Sequence, residues 1–327
     1  MIVVLVHKGA EAAAVKEVKE LLNAEAKPLD GAISFEVGSK EKIFEYCYLS
    51  QAAIRVLLED DPKIWLKEGT TFCVRSIIKQ EEFDIGAEIN KDNKYVVDLK
   101  NPEVQFYVHE GKTYIDYTGE LPKRNYRVFT NQQSMKGTFA YSFLRMAGYS
   151  KDISLLDPFA KDGTIPIEAL HFQKKRSPRY FDWDHMRFTK SEHFKDIDFE
   201  DLFEEIPEED QQSPIYATSS EFKNIAARKK NLKISAIKGL DIARTNIEQL
   251  DQKFEENEID LIATFLPRLT EKDFYQFCHQ AHFIAKKTVL LTEQQITVDN
   301  NYFSTEKETI IESGKGKFKI IWLKKKD

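Results

Sequence analysis

At 327 residues, with 42% hydrophobic and 12% aromatic side chains, the chain is long enough for about two domains with real cores, which excludes wholesale disorder. Forty-eight Lys plus Arg against 54 Asp plus Glu give a formal net charge of −6, so a uniformly basic nucleic-acid coat is excluded while a local basic patch is not. No apolar run approaches the roughly 20 residues that span a bilayer, and the opening MIVVLVHKGAEAAAVKE carries neither a charged leader nor a cleavage site. The chain therefore reads as cytoplasmic, with no membrane contact. Cys47, Cys73 and Cys278 lie far apart in apolar runs without CxxC spacing, which argues against disulfide staples and a zinc site.

In chain order, MIVVLVH has a buried-strand pattern and Glu11–Asn23 carries apolar residues at helical spacing, with a Pro-Leu-Asp-Gly turn at 28–31 behind it. GAISFEV alternates as a strand, and EKIFEYCYLSQAAIRVLLE predicts a second amphipathic helix. This β-α-β-α unit has no phosphate-cradling glycine loop after its first strand, so nucleotide binding is not expected there. From Thr70 the text becomes strand-rich: TTFCVRSIIK, YVVDLKNPEVQFYVHE and GKTYIDYTGE, with the GK at 111–112 placed as a hairpin connection.

Residues 121–150 contain five basic residues, Lys123, Arg124, Arg127, Lys136 and Arg145, and no acidic one. Beyond them strand and helix alternate to the end through SLLDPFA, TIPIEALHFQKK, SPIYATSS, EFKNIAARKKNL, IDLIATFL, EKDFYQFCHQAHFIAKK, TVLLTEQQ and KFKIIWLKK, the pattern of a doubly wound, largely parallel sheet. Residues 192–210 interrupt this with ten acids and one lysine, which predicts an exposed, self-repelling insertion.

The most informative string is LLDPFAKDGTIPIEAL at 155–170, where a strand ends in Asp157-Pro158, a loop carries Gly163-Thr164, and a helix opens with Pro166 in its first turn. It resembles motif I of the THUMP-domain RNA methyltransferases, usually written DPFCGSGTIPIEAA. VVDLKNPEVQFYVHEGKTYIDYTGELPKRNYR is similar to the end of a THUMP domain and its exit linker in that family. The resemblance implies an α/β chain made of an N-terminal ferredoxin-like domain at 1–60, a THUMP domain at 61–118, a basic linker at 119–135, and a Rossmann-fold methyltransferase domain at 136–327. It also implies the cofactor S-adenosylmethionine (SAM) and a tRNA or other structured RNA as partner, recognised by shape and phosphates. Lys123, Arg124, Arg127 and Lys136 are the implied RNA contacts, with Tyr126 and Phe129 interleaved.

Carried over residue by residue, the resemblance assigns Asp157, Pro158, Gly163 and Thr164 to the cofactor loop, but Lys161 stands where the family has its first glycine, at a cost of roughly 1 kcal/mol or more plus a bulky side chain. A partly closed pocket is expected. IYATSSEFKNIAARKKN at 215–231 puts Ser219 at the position of the ribose-binding acid and Glu221 at that of a second acid, while Asp241 takes the place of an acid near the adenine amine. A serine offers one hydroxyl contact and no charge-assisted grip, so SAM affinity should be weakened or lost. The strand end IDLIATFLPRL resembles the family's D-L-I-V-T-[ND]-P-P-Y, which places Thr264, Phe265, Leu266, Pro267 and Arg268 on the catalytic motif. Phe265 lacks the oxygen that would accept hydrogen bonds from the base amine, a loss worth roughly 1 to 3 kcal/mol.

Plainer readings are weighed beside these: a strand-loop-helix corner for Asp157 to Thr164, and a solvated face for the linker cations and for Lys174, Lys175, Arg176 and Arg179. His279 and His282 lack a third ligand at useful spacing, so no metal is expected. The expectation is a tRNA-binding member of the family with impaired catalysis, against a rival reading as an active guanine-N2 methyltransferase and a third as a protein-protein scaffold with a protein partner.

Overall fold

The computed structural model describes residues 1–131 and 134–326, so part of the linker, at 132–133, lies outside the described residues. The chain is a mixed α/β protein whose strands form two sheets.

The first sheet holds β1 (Ile2–Leu5), β2 (Ala26–Leu29), β3 (Ala32–Phe35), β4 (Arg55–Leu58), β5 (Thr71–Arg75), β6 (Val96–Val97), β7 (Val104–His109) and β8 (Lys112–Asp116), in the order β2-β3-β1-β4-β8-β7-β5-β6. Helices α1 (Glu11–Leu22), α2 (Lys40–Leu49), α3 (Pro62–Trp65) and α4 (Lys79–Ile89) connect them. Pairing of Leu57 with Asp116 and Leu58 with Ile115 joins the strands before and after residue 60 into one sheet. The helix predicted through residue 59 ends at Leu49, because the buried Glu17 carboxylate accepts from Ser50 Oγ (2.6 Å) and the Gln51 amide (2.8 Å) and draws the chain out of the helix into β4. The Pro-Leu-Asp-Gly segment is half strand, with Asp30-Gly31 turning β2 into β3. At the second hairpin the turn is Glu110-Gly111, both at positive φ, and Lys112 already belongs to β8. The strand predicted over TTFCVRSIIK stops at Arg75, and α4 follows with no buried residue to announce it.

The second sheet contains β9 (Leu155–Asp157), β10 (Ile215–Ser219), β11 (Leu240–Arg244), β12 (Ile259–Phe265), β13 (Ala285–Thr292), β14 (Phe303–Ser313) and β15 (Gly316–Lys325), ordered β11-β10-β9-β12-β13-β15-β14. The first five run parallel and the last two complete the edge antiparallel. Neighbouring residues on one strand serve opposite faces, as strand geometry requires. Leu155, Leu261 and Ala263 pack with α5 (Gly137–Ala147) and α6 (Thr164–Gln173), whereas Leu156 and Ile262 pack with α9 (Glu271–Ile284). This gives the doubly wound arrangement that the alternating text predicts.

The acidic insertion corrects the sequence reading. Its short helix α7 (Phe199–Glu204) and the 3-10 turns at 183–194 lay Phe188, Phe194, Phe199 and Phe203 against Phe44, Tyr48 and Tyr117 of the first sheet's core, with Phe203 stacked on Tyr48 at 4.2 Å. Each buried aromatic contributes roughly 1.5 to 3 kcal/mol, which outweighs repulsion among acids that stay in water. The remaining helix, α8 (Phe222–Ser235), links β10 to β11.

Candidate functional site

Parallel strands β9, β10 and β12 all end at one edge of the second sheet, and between β9 and β12 the chain order reverses, which leaves a crevice that neither connection covers. A cleft of about 640 Å³ opens there, lined by Pro158, Phe159, Lys161, Ser219, Glu221 and Arg268 among others. Asp157 is buried at the end of β9, and its Oδ1 accepts from Thr264 Oγ1 (2.6 Å) and the Phe159 amide (3.2 Å). Burial raises its pKa to about 6 against those two bonds and the nearby Arg228.

Gly163 caps α6 at φ 86°, and a Cβ there would come within 2.9 Å of Arg228 Cγ, so both the backbone angle and the space call for glycine. Arg228 is fully buried under this loop, and none of its guanidinium nitrogens has a hydrogen-bond partner among the described residues. Burial lowers its pKa to about 10, opposed by Asp157. Asp162 Oδ1 accepts from the Thr164 amide (3.2 Å) and hydroxyl (2.9 Å), while the buried Oδ2 has no hydrogen-bond partner among the described residues. Lys161 leans over the Phe265 ring at 4.8 Å, and the space it bounds with Asp157, Thr164 and Phe265 is only about 20 Å³, so this end of the site is nearly closed while the main cleft beside it stays open. Burial lowers the Lys161 pKa to about 8, with Asp157 and Asp162 opposing.

The other predicted site residues fall as follows. Ser219 ends β10 on the cleft wall, its Oγ accepting from the Glu221 amide (3.2 Å), and Glu221 pairs with Lys223 at 3.0 Å. Asp241 is displaced: it lies three residues before the end of β11, paired in register with Tyr216, and bonds Lys253 at 3.2 Å, whereas Thr245 and Asn246 line the cleft beyond that strand. Leu266 is buried, and Pro267 and Arg268 stand on the cleft wall.

Among the linker cations, Lys123 and Lys136 are exposed and Arg127 is half-buried, but Arg124 is buried and faces inward. Its Nε donates to Glu168 Oε1 (2.8 Å) and its side chain also reaches the Leu121 and Gln51 carbonyls, so it is a joint between modules and not a phosphate contact. Burial raises the Glu168 pKa, yet Arg124 outweighs it and holds the carboxyl near 2. Arg179 is likewise buried, donating to the Ser50 carbonyl at 2.7 Å. Sequence reasoning missed the outer face of α8, where Lys223, Lys229, Lys230 and Lys233 are exposed and Lys230 stands over Phe129 at 4.5 Å. The run ARKKNLK was the available signal. Among the described residues no group of His, Cys, Asp and Glu could hold a metal, and no helix is long and apolar enough to cross a membrane.

Parallel strands, an edge completed by an antiparallel pair and a crevice at the switch point define a Rossmann-type domain of the class that takes a nucleotide-like cofactor. Two solved structures share the fold over nearly the whole chain: TrmN from Thermus thermophilus (17% identity, TM-score 0.71, 99% of each chain) and SMU.472 complexed with SAH (15% identity, TM-score 0.74, 98% of this chain and 97% of that one). The model of the family UPF0020, RMKL-like, methyltransferase domain, matches residues 124–290, and the chain belongs to this family. Among curated relatives, a tRNA (guanine(6)-N2)-methyltransferase of Methanocaldococcus jannaschii is 26% identical over 60% of this chain and 57% of its own length. The ribosomal RNA large subunit methyltransferase K/L of Vibrio parahaemolyticus is 23% identical over 52% of this chain and 29% of its own. The matches thus span well under two thirds of those relatives.

Proposed function

We propose that the chain is a SAM-dependent RNA methyltransferase of the guanine-N2 type, with tRNA as its substrate and the first sheet serving as a THUMP-type module that holds it. The observation that carries this reading is the open cleft at the switch point, lined by Pro158, Lys161, Ser219 and Glu221, with the linker's Asn131 on its wall. The donor set fits the cofactor: Ser219 and Glu221, both on the cleft wall, offer a hydroxyl and a carboxylate to a ribose. Bound there, SAM supplies an electrophilic methyl group. Thr264 and Asp157 fix the floor beneath it, and Lys123, Arg127 and Lys136, with the α8 lysines, face phosphate. An amine acceptor has to come from main-chain oxygens near Leu266 and Pro267, because Phe265 offers none.

A second reading, a tRNA binder with impaired catalysis, is favoured by one observation: Lys161 caps Phe265 at the end of β12 where that acceptor is expected. Methyl transfer from labelled SAM to tRNA, measured for the wild type and for Phe265→Asp, separates the two. The enzyme reading expects slow transfer that Phe265→Asp accelerates. Salt-sensitive tRNA binding without transfer in either protein supports the second reading, and absence of both SAM and tRNA binding sinks the two together.

A further inference from the structure

One stripe of α8 touches both the cofactor loop and the linker. Asn224, Arg228 and Asn231 follow at spacings of four and three, so they share a helix face, and all three are buried. Asn231 spends its whole amide on two other segments: Nδ2 donates to the Asp162 carbonyl of the cofactor loop (2.9 Å) and to the Phe129 carbonyl of the linker (3.1 Å), and Oδ1 accepts from the Phe129 amide (3.0 Å). Two turns earlier, Asn224 donates to Ser219 Oγ and to Glu221 Oε2 (3.3 Å each) and accepts from Asn131 Nδ2 (3.4 Å). Both asparagines thus hold a cleft residue with one hand and a linker residue with the other.

We infer that Asn231, assisted by Asn224, is a positioning residue that couples RNA engagement at the linker to cofactor binding in the cleft; this rests on the function proposed above. The reason is hydrogen-bond accounting. A buried carboxamide loses partners it cannot replace when either segment leaves, so the linker's docked position and the ordered position of Asp162 stabilise each other. RNA held by Lys123, Arg127 and Lys136 fixes the linker, and the cofactor fixes the loop. Each ligand therefore favours the arrangement that the other needs, and linkage makes the effect reciprocal.

The test titrates the full chain with S-adenosylhomocysteine, which transfers no methyl group, with and without saturating unfractionated tRNA, and then tRNA with and without the cofactor product. In the wild type tRNA tightens the small ligand about tenfold, within the roughly 5- to 150-fold range of such couplings, and the reverse titration gives the same factor. Asn231→Ala brings the ratio close to 1, and Asn224→Ala gives a value between. A purely structural role would weaken binding equally with and without tRNA and leave the ratio at its wild-type value, which overturns the inference, as does a wild-type ratio of 1. Should Asn231→Ala fail to unfold cooperatively, Phe129→Pro removes the linker amide that Asn231 accepts from together with the ring beneath Lys230, and Phe129→Ala removes the ring alone; the same loss of coupling is expected in the first and not in the second. A protein that binds neither ligand refutes the functional reading beneath the inference, whereas binding of both without coupling refutes the inference alone.

Discussion

The middle of α6 and the loop before it are built under opposite rules. In the helix, Glu168 is fully buried and saturated: Arg124, Tyr126 and the Gln51 side-chain amide all bond its carboxylate, tying the second sheet's helix layer, the linker and the first module together. In the loop before it, Asp162 Oδ2, and beneath that loop the Arg228 guanidinium of α8, are buried without hydrogen-bond partners among the described residues, beside an open cleft. A joint completes its hydrogen bonds in the folded chain, whereas a binding site leaves some unmade. The saturated pair around Glu168 is a structural joint, and the unsaturated pair beside the cleft is where a ligand can still gain hydrogen bonds.

The largest expected effect breaks the joint. Glu168→Ala leaves Arg124 buried and uncompensated, which should cost on the order of 3 to 5 kcal/mol, read as a lowered denaturant midpoint. Conversely, a loss below about 1 kcal/mol would show that the joint is not structural. Acid comes next. His7, bonded to Thr138 Oγ1 across the modules at 2.9 Å, and His171, under Glu168, both have their pKa lowered to about 4, by burial first. Between pH 6.5 and 4 the unfolded chain binds more protons at these groups, so stability should be full above 6.5 and fall by a few kcal/mol toward 4. His7→Gln should flatten that fall; an unchanged melting profile across the window speaks against it.

Gly137→Ala is expected to be milder. Its Cβ would come within 2.4 Å of Glu168 Oε1 and 2.6 Å of Arg124 Nε, an overpacking worth roughly 1 to 3 kcal/mol in a melt. The cleft end should behave differently. Lys161→Gly removes the side chain that fills the space between Asp157 and Phe265, together with its cation–π contact of roughly 0.5 to 1 kcal/mol, so SAM affinity should rise, read by titration. With its pKa near 8, Lys161 should also label with an amine reagent at pH 8 faster than surface lysines, and SAM should protect it; labelling at the common rate contradicts this assignment.

Much of the cleft end was legible in the text, because LLDPFAKDGTIPIEAL writes a strand, a loop and a helix start in order, and the structure places Pro158, Lys161, Ser219 and Arg268 around one crevice. The joint was not. Charge counting cannot tell that Arg124 turns inward while Lys123 beside it stays in water, since that depends on where Glu168 lies in space. The same limit hid β4, whose exit from helix is dictated by Glu17, and the insertion, whose ten acids masked phenylalanines at buried spacing.

The cofactor site proposed in the crevice between β9 and β12 sets Ser219 against the SAM ribose, where a carboxylate would grip both hydroxyls. Calorimetric titration of the wild type and of Ser219→Asp with SAM tests it most directly. Saturable one-to-one heat in the wild type, tightened roughly tenfold or more by the restored carboxylate, is the predicted result. No heat in either protein, with both folded, would contradict the account.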